Sequence, residues 1–277
     1  MTHHANLPNL YPMELTAEIA SGSLFGALLC FLTASALAVI EVLRGTRHAR
    51  IPTMLLMAGG FVLETLYLQY QGGMRGRCPI TTLPEILIFL GWSTVLIYFV
   101  VGPTYRLSLL GVFTAPLMAT FVAIGLLSGA VSQTPSLPSS PVDPWLETHA
   151  SLSLISYGAF ALAFVAATMF LIQDRLLKSK SLNQLFYNLP PVCYLANAVR
   201  RLVVVGFLLL TIGIAAAFFI REFPGWWKIV LASSVWIAYG SLLIADLRRR
   251  LSPGSFCKTS LWIFALPVIT LGLLGRR

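Results

Sequence analysis

Residues 150–173 read ASLSLISYGAFALAFVAATMFLIQ, a run of 24 residues without a charged side chain. An α-helix rises about 1.5 Å per residue, and the hydrocarbon core of a bilayer is about 30 Å thick, so about 20 apolar residues are enough to cross it. The run therefore predicts a membrane-spanning helix. The whole chain of 277 residues is 57% hydrophobic and only 10% charged, which is the composition of a membrane protein.

Seven further apolar stretches meet or nearly meet the length of a membrane span. They cover approximately residues 20–43, 52–70, 84–101, 107–130, 202–220, 227–245 and 259–275. Eight spans use most of the chain and leave no room for a second folded domain of ordinary size. We therefore predict an all-α integral membrane protein, a bundle of about eight transmembrane helices. Residues 1–18 are expected to be an outer N-terminal tail, and residues 19–277 a single transmembrane domain.

The positions of the basic residues indicate which side of the membrane each segment faces. The net charge is +9, but the Lys and Arg residues punctuate the spans and form no continuous face, so nucleic acid is not an expected partner. When the N-terminus is placed outside, thirteen of the nineteen basic residues fall in inner segments. Because membrane proteins keep more Lys and Arg on the inner side, we predict that both termini lie on the outer side.

Glu64, in the stretch GGFVLETLYLQY, is the clearest ionisable residue inside a predicted span. A charge near the bilayer centre costs roughly 2.5 to 3.5 kcal/mol on insertion scales. Two interpretations stay open. The carboxyl group either holds the bundle together, protonated or paired with a neighbouring helix, or it serves a function, as ionisable residues inside membranes usually do.

Four cations on the outer side run against the usual charge bias, and they are Arg75, Arg77, Arg221 and Lys228. They are either tolerated exceptions or a binding site for an anion, since guanidinium groups suit carboxylates. Trp226 and Trp227 are predicted at the same outer boundary. An interfacial aromatic belt explains them, and so does a flat apolar surface for a planar ligand.

His149 stands at the start of the span at 150–173. On a helix that begins near Ala150 it shares one face with Ser153 and Ser156, so that face is polar enough to turn toward a cavity. An interfacial histidine without a ligand is the alternative. Together with the aromatic residues and cations on the same side, the imidazole would suit an iron porphyrin: nitrogen for the iron, aromatic rings for the macrocycle and cations for the propionates.

Three stretches resemble the cytochrome c assembly proteins of the CcsA/HemX type. CPITTLPEILIFLGWSTVLIYF, at 78–99, is similar to the family's Pro…Glu-x-Leu-x-Phe-Leu-x-Trp segment. THASLSLISYGAFALAFVAATMFLIQDRLLK, at 148–178, is similar to its His-x-x-x-x-x-x-x-Tyr helix. NLPPVCYLANAVRRLVVVGFLLLTIGI, at 188–214, is similar to its Leu-Pro-Pro linker and Gly-Phe-x-x-Leu-Thr span. With the eight spans, the resemblance covers nearly the whole chain from about residue 20.

The resemblance assigns expected roles to individual residues. Glu85 and Trp92 are in the matching places of the first segment and are expected to belong to the cofactor-binding residues, and His149 and Tyr157 match the second segment. It implies a protein of the bacterial inner (plasma) membrane that holds haem b at the outer face for attachment to apocytochrome c. Lipid, haem, apocytochrome c and other assembly proteins of the membrane are the implied partners. The implied role is binding and delivery, not that of an enzyme.

This sequence differs from the haem-carrying members at three places. The tryptophan motif Trp-Gly-x-x-Trp-x-Trp-Asp is reduced to FPGWWKIVLASSVWIAYG, no second outer histidine follows, and Glu64 occupies a position where some relatives have histidine. These differences favour the HemX-like branch and a five-coordinate or weakly six-coordinate iron. A regulatory or scaffold protein that binds no haem is the alternative function. A transporter that uses Glu64 as a proton-coupled carboxylate is a weaker one, because no inverted repeat supports it.

Overall fold

The protein is described by a computed structural model, which covers residues 13–44, 50–101, 110–128, 143–179, 191–221 and 226–274. Every regular element in this part of the chain is an α-helix. We number the helices in chain order as α1 (Met13–Arg44), α2 (Arg50–Arg75), α3 (Leu83–Val101), α4 (Leu110–Leu127), α5 (Pro144–Lys178), α6 (Val192–Ala217), α7 (Trp226–Leu247), α8 (Pro253–Ile263) and α9 (Ala265–Leu274).

The helices confirm a multi-span helical membrane protein. Within the described ranges, seven apolar stretches are long enough to cross a bilayer, with α8 and α9 counted together as Pro253–Gly272. The apolar part of α4, Phe113–Leu127, is shorter, and residues 102–109 before it lie outside the described part. The tail predicted at 1–18 is described only from residue 13, where α1 already begins.

The fifth helix begins six residues earlier than predicted. Asp143 caps it by accepting a hydrogen bond from the backbone N–H of Trp145 at 3.0 Å, and Pro144 occupies the first helical position. An acidic N-cap followed by proline is a strong helix start, and it prevails over the polar character of residues 144–149. His149 therefore lies within the second turn of α5 and not at its mouth. With 35 residues, α5 is about 52 Å long and exceeds the hydrocarbon thickness.

Two other span boundaries differ from the prediction. The sixth helix begins at Val192, ten residues before the predicted start, so residues 192–201 are its first turns. The last predicted span is broken at Phe264 between α8 and α9. Pro267 explains the break, because it has no N–H to donate to the carbonyl of Ile263 and its ring crowds that position.

Helix α5 is the centre of the bundle. It packs against α3 and α4 on one side and against α6 and α8 on the other, while α1 packs against α2 and α4. Small residues bring the helices close: a Cβ atom at Gly158 of α5 would lie 2.6 Å from Ser93 Oγ of α3. On the far side, the buried ring of Phe160 stacks on Tyr239 of α7 with centroids 3.7 Å apart. Such close contacts between helices are typical of membrane bundles.

Candidate functional site

One end of the bundle gathers most of the predicted site residues. It comprises the end of α2, residues 76–82, the first turns of α3 and α5, and the last turns of α6, and we call it the His149 end. Gly76 follows the last residue of α2 with φ at +61°, the left-handed conformation that commonly terminates a helix. The chain then turns back, so that residues 76–82 lie over the ends of α2 and α3.

A buried ion pair closes this turn. Arg75 Nη1 donates to Glu85 Oε1, and both side chains are almost completely buried. The other oxygen of Glu85 accepts from the N–H and the hydroxyl of Thr81, at 3.0 and 2.9 Å, and from the N–H of Thr82 at 3.3 Å. A glutamate three residues after a threonine cap is half of a capping box. Arg75 is one of the four outer cations considered above as an anion site, and in the structure its charge is neutralised by Glu85.

The same turn is fastened to α5. The backbone N–H of Cys78 donates to Glu147 Oε1 at 2.8 Å, and the hydroxyl of Ser151 donates to Cys78 Sγ at 3.7 Å. Burial raises the pKa of the Cys78 thiol, which therefore stays neutral near pH 7. Glu147 and Ser151 are four residues apart and share one face of α5.

His149 lies on the opposite face of α5, toward α6. Its Nδ1 is 2.8 Å from the carbonyl oxygen of Gly213. A carbonyl oxygen only accepts hydrogen bonds, so Nδ1 carries the proton in this contact and Nε2 of the neutral ring keeps its lone pair. Within the described residues Nε2 has no hydrogen-bond partner. A histidine that donates one ring N–H to a carbonyl while the other nitrogen is free has the arrangement of histidine ligands to metals.

The contact depends on Gly213. A Cβ atom there would lie 3.2 Å from Ser153 Oγ and 3.3 Å from Leu152 Cβ, both on α5. The absence of a side chain allows α6 to approach α5 closely enough for the carbonyl to reach the imidazole. Ser156 in turn donates to the carbonyl of Ser153 at 2.7 Å. His149 and Ser153 both lie close to Gly213 of α6, as expected for residues on one face, whereas the hydrogen bond of Ser156 stays within α5.

A second link joins the start of α5 to the end of α6. The N–H of Arg221 donates to Asp143 Oδ2 at 3.0 Å, and this hydrogen bond holds the pKa of Asp143 below its usual value. One turn before His149 on α5, Trp145 stacks on Phe219 with centroids 4.7 Å apart, and about half of the surface of Trp145 remains exposed. These contacts fix the relative positions of the two helices at this end.

The remaining predicted site residues fall into two groups. Trp226 begins α7 and is 77% exposed, Arg221 is exposed, and Arg77 is half-buried with an Nε atom that has no partner among the described residues. The side chains of Trp227 and Lys228 lie outside the described residues.

Trp92 and Glu64 belong to a deeper layer. Trp92 is seven residues, or about 10 Å, along α3 from Glu85. Its indole N–H donates to Thr65 Oγ1 of α2 at 2.8 Å, and its ring stacks on Phe61 with centroids 5.6 Å apart. Trp92 therefore joins α2 to α3 and is not brought to His149. Glu64 is completely buried, as the sequence predicted.

Three residues whose contacts shape the His149 end were not predicted from the sequence. Gly213 and Glu147 act through contacts between distant segments, and no local signal marks them. Asp143 does have a signal, because an acidic residue directly before a proline is typical of a helix start.

Comparison with known proteins identifies relatives over most of the chain. Residues 80–277 match the family described as Cytochrome C assembly protein. Protein HemX of Bacillus subtilis is 30% identical over 51% of this chain, and the alignment spans about half of that relative. Protein HemX of Brevibacillus brevis is 29% identical over 74% of this chain and 70% of its own length. Cytochrome c biogenesis protein CcsA of Parasynechococcus marenigrum is 26% identical over 95% of this chain and 96% of its own length. This chain belongs to the cytochrome c assembly protein family.

Proposed function

We propose that this chain binds haem at the His149 end of the bundle and presents it, on the outer side of the bacterial inner membrane, during c-type cytochrome biogenesis. The proposal rests on the hydrogen bond from His149 Nδ1 to the carbonyl of Gly213. It supports His149 Nε2 as an axial nitrogen for the iron of haem b. In this function haem is cargo and the protein is a binding and delivery module, not an enzyme.

The hydrogen bond with Gly213 prepares His149 in two ways. It selects the tautomer in which Nε2 carries the lone pair, and it fixes the rotation of the ring. A carbonyl that accepts the Nδ1 proton also makes the imidazole a stronger donor toward a metal. Nothing else among the described residues competes for Nε2.

Other groups at the same end of the bundle suit the rest of a haem molecule. Trp226 offers an exposed aromatic surface, and the two cations not engaged in ion pairs among the described residues of this end are Arg77 and Arg221. Guanidinium groups suit the carboxylates of propionates. Arg75 and Glu85 are proposed to hold the turn at 76–82 and not to bind the propionates directly.

The distribution of positive charge supports the outer orientation. Thirteen of nineteen basic residues fall in the segments that would face the cytoplasm when the His149 end faces outward. Names of relatives agree with a biogenesis role, since CcsA is described as a cytochrome c biogenesis protein.

The decisive experiment is the absorption spectrum of the full-length protein. We expect wild-type protein, purified in detergent from haem-sufficient cells, to show a Soret band. His149→Gly should lose most of this band, and added imidazole should restore it by filling the vacated position. Thr148→Gly is the matched control, because Thr148 is an exposed neighbour on the same turn and the substitution introduces the same backbone freedom. Equal haem content in wild type and His149→Gly would refute the proposal.

A second function is favoured by the similarity to HemX. Two HemX proteins align at 29 and 30% identity, and the sequence lacks the full tryptophan motif. In this alternative the chain is a regulatory or scaffold protein of haem metabolism that does not bind haem itself. The two functions separate in the same assay: no Soret band in wild-type protein, even after addition of haem, would favour the scaffold.

A further inference from the structure

Helix α2 carries a line of buried polar residues that the haem proposal does not use. Glu64, Tyr67, Gln71 and Arg75 are separated by three, four and four residues, which places them along one face of the helix. All four are at least nine-tenths buried. From Glu64 to Arg75 the line rises about 16 Å, roughly half the hydrocarbon thickness. We call these four residues the α2 stripe.

The stripe is only partly hydrogen-bonded by the protein. Gln71 Nε2 donates to the hydroxyl of Tyr67 at 3.3 Å, and Arg75 pairs with Glu85. Both carboxyl oxygens of Glu64, Oε1 of Gln71 and Nε of Arg75 have no partner within the described residues. Buried polar groups are nearly always hydrogen-bonded, and an unsatisfied one inside a membrane costs several kcal/mol. In the proposal below, internal water is the partner of these remaining atoms.

Among the residues that the structure describes, no charged side chain neutralises Glu64. A Cβ atom at Gly91 of α3 would lie 3.1 Å from Glu64 Oε1 and 3.7 Å from Cβ of Phe121 on α4, so the carboxyl fits between these helices. Helix α4 has no charged residue, and α1 has none between residues 19 and 40, where Cys30 is the titratable side chain. On α3 the only charged residue is Glu85, which is already paired with Arg75.

We propose that the α2 stripe is a proton site, in which Glu64 carries an exchangeable proton and exchanges it with bulk water at the His149 end along internal water that Tyr67 and Gln71 hold in place by hydrogen bonds. Each water molecule accepts one proton and passes one on, so the transfer needs no other reactant. A neutral carboxyl also avoids the cost of an unpaired charge at this depth. The proposal does not depend on haem binding, because none of its groups contacts His149.

Infrared spectroscopy of the full-length protein in nanodiscs tests the proposal. The carboxylic C=O band of Glu64 is identified as the band that wild type shows and Glu64→Gln lacks, and transfer into D₂O shifts it as the proton exchanges. We expect Gln71→Leu to slow this exchange about tenfold or more, equivalent to about 1.4 kcal/mol in barrier height. Gln69→Leu, at an exposed position of the same helix, should leave the rate unchanged.

A smaller substitution gives an independent measurement if Gln71→Leu does not fold. Tyr67→Phe removes one buried hydroxyl and should also slow the exchange, whereas Tyr194→Phe, at a half-exposed position of α6, should not. The proposal is overturned if no band depends on Glu64, which would mean that the group carries no proton. It is equally overturned if Gln71→Leu or Tyr67→Phe exchanges as fast as wild type.

Discussion

The ion pair between Arg75 and Glu85 gives a quantitative prediction of stability. Their side chains are 5% and 1% exposed, and Glu85 keeps three further hydrogen bonds from Thr81 and Thr82. Arg75→Met removes the guanidinium and leaves a buried carboxylate with neutral partners only. Because one partner of a buried pair is then uncompensated, we expect the free energy of unfolding to fall by about 3 to 5 kcal/mol.

The double variant separates charge from packing. Arg75→Met combined with Glu85→Gln leaves no buried charge. The free energy of unfolding of this double variant should therefore be about 1 to 3 kcal/mol higher than the sum of the two single losses would give. Unfolding is measured by titrating SDS into protein in mild detergent and following tryptophan fluorescence. Arg200→Met is the matched control. Its partner is Asp246, at 2.6 and 2.8 Å, but Arg200 is 40% exposed, so the loss should stay near 1 kcal/mol.

Two outcomes would refute this reasoning. One is a cost for Arg75→Met no larger than that for Arg200→Met. The other is strict additivity in the double variant, which would show that Arg75 and Glu85 do not interact in the folded protein.

Three further predictions concern topology, depth and helix approach. Reporter fusions at 135–140 should score outside and those at 180–185 inside, and the opposite pair of results would reverse the orientation. Glu64→Gln should accumulate in the membrane like wild type, whereas Glu64→Lys should accumulate poorly because it brings an unpaired charge to that depth; equal amounts would contradict the buried position. Gly213→Ala should separate α5 from α6 and lower haem content severalfold, while Gly73→Ala, where a Cβ atom meets nothing within 4 Å, should bind haem normally.

Hydropathy was sufficient to predict a multi-span helical protein, since length and apolar character decide insertion. Eight spans were predicted, and seven apolar stretches of the described residues are long enough to cross a bilayer. Hydropathy did not predict where the helices begin and end in water. Helix α5 starts at Pro144 because Asp143 caps it, and a window of average hydropathy does not detect a cap. The break before α9 likewise depends on a single proline, Pro267.

The contacts of the site could be predicted only in part. Glu64 was recognisable as a buried polar group because an ionisable residue inside an apolar run must face the protein interior. The pairing of Arg75 with Glu85 required the turn at Gly76, and the contact between His149 and Gly213 joins residues 64 positions apart. Helices such as α3 and α4 have no pronounced polar side, so a single sequence does not determine their rotation about their axes.

Helix α5 also connects the turn at 76–82 mechanically to α6. Its first turns hold the 76–82 turn through Glu147 and Ser151 and hold α6 through His149, on opposite faces of one rod. For a rod about 52 Å long, a tilt of about 5° around the midpoint displaces its end by about 2 Å. A cargo molecule that pulled on His149 would therefore shift the anchor of the turn over Arg75 and Glu85 by the same distance, so that loading on the α6 side would be transmitted to the α2 side.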